Sequence, residues 1–380
     1  MPNESFLNPL DREFLTTSDV ALVPQRGTLR SRLDAKLKPF IYSAPMDTVT
    51  GFGTTKEMMR LDEFAVVSRF ISEEERTSIA EKWMGRSNLF WAIGLNDVPD
   101  FLAFAQKHLP KYTKANIAID IAHGDMDLAH ELVASIRKDE ILNSVIGFIM
   151  SGSICTAHAA DRAIDAGCTH LRIGVGPGAA CTTRLMTGIG VPQLSAVYNI
   201  HKQLSFSGRR ESVVLIADGG IKHPGEAVKY LAAGADAIMM GSAFSKALES
   251  PGWTKHQQPL KDFLEELAGP DIHNPNPIPF PLPEPPVRLS KSYRGQASGA
   301  FQKDIYGKEN ICPEGASSDV FFWDSQTTIE SIVFKYRGGL ASAMSYMGID
   351  DLDNLNPENP NVVFIKQTAS AYIEGTPHGT

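Results

Sequence analysis

Cysteine is scarce in this chain: four residues in 380, Cys155, Cys168, Cys181 and Cys312, with no C-x-x-C pair among them. That spacing excludes a disulfide framework and a cysteine-based zinc site, and four isolated thiols suit a reducing compartment, which makes a cytoplasmic location the expectation. No apolar run reaches the roughly 20 residues that a membrane span needs. The opening stretch MPNESFLNPLDREFL shows neither the basic nor the apolar region of a secretory signal. An excess of basic charge is missing as well. With 36 Lys and Arg against 44 Asp and Glu, the net charge of −8 argues against a general nucleic-acid binder, which would carry a basic face. Tandem repeats are absent.

What is present is a pattern. Hydrophobic residues make up 43% of the chain, enough for a large buried core. Short β-rich runs lie at 40–47, 64–70, 89–95, 116–122, 145–152, 170–176, 213–220 and 237–242. They are near-continuously apolar, as strands buried on both faces must be. Amphipathic stretches alternate with them. SEEERTSIAEKWM at 72–84 opens on a serine cap and an acidic first turn, DMDLAHELVASIRK at 125–138 has apolar residues at helical spacing, and HPGEAVKYLAAGAD at 223–236 stops at Gly234. Eight strands alternating with helices predict a single (β/α)₈ TIM barrel, with an open doubly wound sheet as the alternative. The rhythm breaks at 251–290, where PDIHNPNPIPFPLPEPPVR holds many of the 24 prolines and forbids a helix or central strand. An extended loop is expected there, followed by a mobile C-terminal catalytic segment. No separate regulatory module is expected within residues 1–380.

Barrels carry their chemistry at the C-terminal ends of the strands. Asp120 closes the fourth run, GVGPGAACTTR (174–184) follows the sixth, Asp218, Gly219 and Gly220 close the seventh, and Gly241 and Ser242 the eighth. Glycine N–H groups in the last two loops, with a helix start behind them, predict a phosphate site. Asp218 beside it is placed to accept from a ribose diol. Cys181 lies among small residues at an active-site strand end, with Arg184 close in sequence to favour its thiolate, and is the candidate nucleophile. Cys168 and Cys155 read as ordinary buried thiols.

Four ordered segments, SAPMDTVT, GVGPGAACTTRLMTGIGVPQLSAV, IADGGIKHPGEAVKYLAAGADAIMMGS and YRGQAS, resemble the IMP dehydrogenase/GMP reductase family. The resemblance runs from about Leu15 to Tyr346. It implies a TIM barrel, a purine mononucleotide ligand, Cys181 as covalent nucleophile at purine C2, a homotetramer, and a potassium ion on carbonyls near Gly176, Gly178 and Cys181. By the same resemblance Thr183 and Glu314 move the proton of the leaving amine. Tyr293 joins Gly219, Gly220, Gly241 and Ser242 at the phosphate, and Ser153, Gln296, Ala297 and Gly315 border the base. Asp120, Ile121 and Ala122 flank the nicotinamide side. Arg26 and Arg69 meet the cofactor's phosphates, and Ser345 and Tyr346 reach the cofactor of a neighbouring subunit.

The two activities of this family share the covalent adduct and differ in its fate. Dehydrogenases carry an Arg-Tyr pair on a long flap and a regulatory domain of CBS type inside the barrel. Here AFQKDIYGKENICP has Tyr306 without an adjacent arginine, and the second run leads straight to the third. Thr183 and Glu314 match the reductase pattern, so the expectation is an NADPH-dependent GMP reductase. An NAD-dependent IMP dehydrogenase, or an enzyme of a modified or deoxy purine nucleotide, is the alternative. Three positions depart from the family: Ile311 for a reductase arginine, Ser153 for an asparagine, and Gln296 for a methionine. From other classes, a nucleotide-binding pseudoenzyme has no use for an intact Cys181, and a flavin enzyme would be coloured.

Overall fold

The computed structural model describes residues 13–253, 289–308, 312–322 and 327–375. Eight parallel strands close into a barrel: β2 (Ile41–Ser43), β3 (Phe64–Val67), β4 (Leu89–Ile93), β5 (Ala115–Ile119), β6 (Ile146–Ile154), β7 (His170–Ile173), β8 (Val214–Asp218) and β9 (Ala237–Met240). Closure is made where Ile41 of β2 pairs with Ile238 of β9. All eight predicted runs are strands, and the open sheet is excluded.

The reason is burial on both faces. Tyr42, Val66, Phe90, Ala118, Met150, Ile216 and Met239 form a core inside the barrel, while Ile41, Ala65, Val67, Leu89, Trp91, Ile117 and Leu215 point outward into the helical layer. Such strands carry no polar alternation to read. Inside, Phe90 and the His170 imidazole meet at 5.0 Å between ring centroids, and burial pushes His170 down to about 4.

The helices begin where local chemistry starts them. Ser72 accepts from the Glu75 N–H at 3.1 Å, opening Glu73–Trp83 with three glutamates in its first turn. That helix is the only one between β3 and β4. Pro224–Ala232 ends two residues before Gly234, whose φ of +106° ends the helical path.

Two small sheets complete the fold. β1 (Val20–Leu22) pairs antiparallel with β12 (Phe364–Lys366) outside the barrel. β10 (Leu289–Arg294) and β11 (Ser317–Phe322) form a hairpin with the helix Gly299–Tyr306 between them. The extended loop expected at 251–290 is therefore corrected at its end, where Leu289 and Ser290 already belong to a strand. Most of that loop, and Ile311, lie outside the described residues. Among the described residues no helix is long and apolar enough to cross a membrane.

Candidate active site

The cysteine loop leaves β7 at Gly174 and enters the short helix Thr183–Thr187. It is held like a strand against a segment far away in sequence. Cys181 pairs antiparallel with Gly315, the Thr182 N–H donates to the Glu314 carbonyl at 2.9 Å, and the Ala316 N–H donates to the Ala180 carbonyl at 2.8 Å. Ser298 also pairs with Gly315. This three-way seam carries a line of side chains. The Cys181 thiol donates to the Thr183 hydroxyl at 3.3 Å, and that hydroxyl donates to Glu314 Oε2 at 3.3 Å. A thiol, a hydroxyl and a carboxylate within reach of one another are an arrangement that can pass a proton.

Burial pushes Cys168 up to about 12 and also raises Cys155, so both are held as thiols. Arg184, expected to favour the thiolate, is engaged with the backbone of its own loop. Its guanidinium donates to the Val175 carbonyl at 2.9 Å and the Val191 carbonyl at 2.5 Å, which folds the loop back on itself.

The phosphate candidates converge beside this loop. Gly219 and Gly220 have φ of +86° and +71°, a left-handed turn that side chains resist, and a Cβ on Gly219 would lie 3.1 Å from the Gly178 backbone. A Cβ on Gly241 would lie 3.2 Å from the Tyr293 hydroxyl, so β10 brings Tyr293 to the end of β9. At the helix start after β8 the Lys222 and His223 N–H groups both donate to Glu226. Ser242 stays half-buried beside Gly241.

Deeper in the mouth lies a charge network invisible in the sequence. Arg172, buried on β7, faces Asp120 Oδ1 and Asp218 Oδ2, each at 3.4 Å. Its buried Nε lacks a geometrically sound hydrogen bond. Burial pushes the Asp218 carboxyl up, Arg172 pulls it back, and Asp120 raises it further. Arg69 is 3.8 Å from Asp120 and 3.6 Å from Asp97, and its guanidinium lies 4.3 Å above the Phe70 ring. It also donates to the Tyr306 hydroxyl at 3.5 Å. Arg69 thus lies among carboxylates at the mouth.

A second clamp was equally hidden. Arg294 donates to Asp47 Oδ2 through Nε at 2.9 Å and through a terminal nitrogen at 2.7 Å, and to Asp304 at 2.5 Å. It ties the β2 loop to the hairpin and to its helix. Arg294 and Asp47 fall inside the segments YRGQAS and SAPMDTVT, and nothing in either segment alone pairs them. Ile121 and Ala122 line the loop after β5, half-buried and exposed. Ser153 is the penultimate residue of β6, where its carbonyl accepts from the Gly124 N–H at 2.9 Å. Ala297 is half-buried next to the seam.

Arg26, Ser345 and Tyr346 are brought together, but elsewhere. The Gln25 N–H donates to the Tyr346 carbonyl at 2.9 Å, and a Cβ on Gly27 would lie 3.3 Å from the Ser345 carbonyl. The helix Ile329–Met347 starts near Glu249, beyond the C-terminal end of β9, and runs down the barrel to these residues. Nineteen residues of helix rise about 28 Å. The trio therefore sits at the end of the barrel opposite Cys181.

The potassium candidates offer carbonyl oxygens, the donor chemistry suited to a large monovalent cation. The Gly178 carbonyl accepts from the Cys181 N–H at 3.0 Å and keeps a second lone pair. The loop's composition fits such an ion.

A (β/α)₈ barrel with a cysteine–threonine–carboxylate relay at its C-terminal mouth is the class of protein that fold and site define. Residues 10–263 and 286–378 match the family described as IMP dehydrogenase / GMP reductase domain. The chain belongs to that family. It is 32% identical over 262 residues to an inosine-5'-monophosphate dehydrogenase of Streptococcus pyogenes, covering 69% of this chain and 47% of the relative. A protein of the same name from Halalkalibacterium halodurans is 30% identical over 373 residues, 96% of this chain and 66% of the relative. The chain thus spans about half the length of the first of these relatives.

Proposed function

We propose that the protein is a nicotinamide-dependent oxidoreductase acting at C2 of a purine mononucleotide, and that its first direction is reductive deamination of GMP. The observation that supports this reading is the relay of Cys181, Thr183 and Glu314, joined across 131 residues of sequence. Cys181 Sγ adds to C2 of the purine. The C2–N bond breaks as Thr183, backed by Glu314, passes a proton to the departing ammonia. The nicotinamide group, when bound, supplies the hydride that replaces sulfur at C2 and yields IMP. Asp218 holds the ribose with Arg172 behind it, while Gly219, Gly220, Gly241, Ser242 and Tyr293 hold the phosphate. Asp120, Ile121 and Ala122 line the cofactor's side of the mouth, and carbonyls near Gly176, Gly178 and Cys181 hold potassium.

The second reading is oxidation of IMP to XMP, in which NAD takes the hydride from C2 and water replaces the sulfur. The names of the relatives favour it, and so does Tyr306, which receives the Arg69 guanidinium in place of an adjacent arginine. Absorbance at 340 nm separates the two. Loss with GMP and NADPH, abolished in Cys181→Ala, supports the reductase; gain with IMP and NAD replaces it with the dehydrogenase.

A further inference from the structure

Gln296 lies between two residues of the seam that holds the cysteine loop. Its neighbour Gly295 packs on the cysteine loop, with the Ala180 carbonyl 3.0 Å from where a Cβ would be. Two residues on, Ser298 pairs with Gly315. The Gln302 side chain holds the Gln296 carbonyl at 2.8 Å, so the backbone is pinned from the following helix. The side chain then crosses the mouth of the barrel. Its amide approaches the Pro45 carbonyl at 3.1 Å, after β2, and Asp120 Oδ2 at 2.6 Å, after β5.

The Pro45 carbonyl is an acceptor with no proton to give, so the amide atom facing it and Asp120 must be the nitrogen. Its two N–H groups are then both used. Oε1 is left over with a defined orientation, and among the described residues it accepts no hydrogen bond and is not sealed from solvent. A free glutamine can flip to suit either a donor or an acceptor. This one cannot, because a flip would set Oε1 against the Pro45 carbonyl.

We propose that Gln296 determines base specificity by presenting Oε1 as a fixed acceptor that selects purines carrying a proton on N1. The inference rests on the purine nucleotide reading of the site. When Cys181 attacks C2, the adjacent ring atom N1 is carried into the same layer of the mouth. A 6-oxopurine bears N1–H and donates to Oε1. A 6-aminopurine has a lone pair at N1, which meets Oε1 acceptor to acceptor and leaves both unpaired. An unmet buried hydrogen bond of this kind costs about 1–3 kcal/mol, a discrimination of roughly 10- to 100-fold. A methionine at this position has no such polarity.

The test reads nucleotide binding through protection of Cys181 from iodoacetamide, quantified on the Cys181 peptide so that Cys312 does not interfere. The probes are IMP, its N1-methyl derivative and AMP. In the wild-type protein, IMP should protect at least tenfold more tightly than either of the other two. In Gln296→Met the preference for IMP over AMP should fall at least fivefold, mainly through weaker IMP protection. Gln296→Asn, too short to reach both Pro45 and Asp120, should behave alike and serves if the first variant does not fold. Equal protection by IMP and AMP in the wild type, or an unchanged ratio in a folded variant, overturns the role of Gln296 and leaves the purine reading standing. Failure of every purine nucleotide to protect the wild-type thiol overturns the functional reading itself.

Discussion

At the scale of single residues, the proposed roles of the thiol, hydroxyl and carboxylate at the mouth can be separated by mutation. Thr183→Ala interrupts the path between Cys181 and Glu314 but leaves the thiol in place. Turnover should fall about 100-fold, the usual range for a proton-transfer group, while iodoacetamide still labels Cys181; loss of labelling would show that the loop itself had collapsed. Glu249 offers a test of stability rather than chemistry. It accepts from the Ile329 N–H at 3.0 Å, and burial pushes its carboxyl up to about 7 from 4.5. The folded protein therefore binds this proton more tightly than the unfolded chain does. The stability it favours is complete below pH 4.5 and declines as pH rises towards 7. His170 acts in the opposite sense. Its pKa falls from 6.5 to about 4, so its contribution is lost as pH drops through that window. Glu249→Gln keeps an acceptor for Ile329 and removes the first slope. Urea unfolding should show it more stable than wild type at pH 8 by about 1–3 kcal/mol, with stability now falling steadily on acidification.

Among elements, the decisive event is the docking of the β10–β11 hairpin onto the barrel mouth. Arg294 carries much of it, through two bonds to Asp47 and one to Asp304. A lysine cannot reproduce that planar fork. Arg294→Lys should lower kcat at least tenfold with little change in the melting temperature, because the barrel core does not depend on the hairpin. An equal loss of kcat and melting temperature would mean that the clamp is structural instead. The helices and strands of the barrel were legible in the sequence, since each apolar run is long enough and buried on both faces. The pairing of Asp47 with Arg294 was not, because 247 positions separate them and neither has a local signature.

For the whole molecule, the placement of Arg26, Ser345 and Tyr346 at the end of the barrel opposite Cys181 bears on assembly. If they contact a cofactor near a thiol, that thiol belongs to another copy of the chain. Cys181→Ala and Arg26→Ala proteins should each have low activity. Mixed by unfolding and refolding together, they should recover activity at roughly a quarter of the sites, the random share of intact pairings in a closed ring. Activity no greater than the sum of the two parents would confine the site to one chain.

Composition and pattern alone determined the strand count and the barrel and pointed to Cys181, because each has a local cause: apolar runs, glycine turns, a thiol at a strand end. Only the tertiary structure decided which charges meet. Arg172 stands between Asp120 and Asp218, Arg69 turns to carboxylates, Arg184 closes its own loop, and Gln296 reaches across the mouth to Pro45 and Asp120. Charged and amide groups act over a few ångströms, and barrel closure sets those distances between residues that the chain itself keeps far apart.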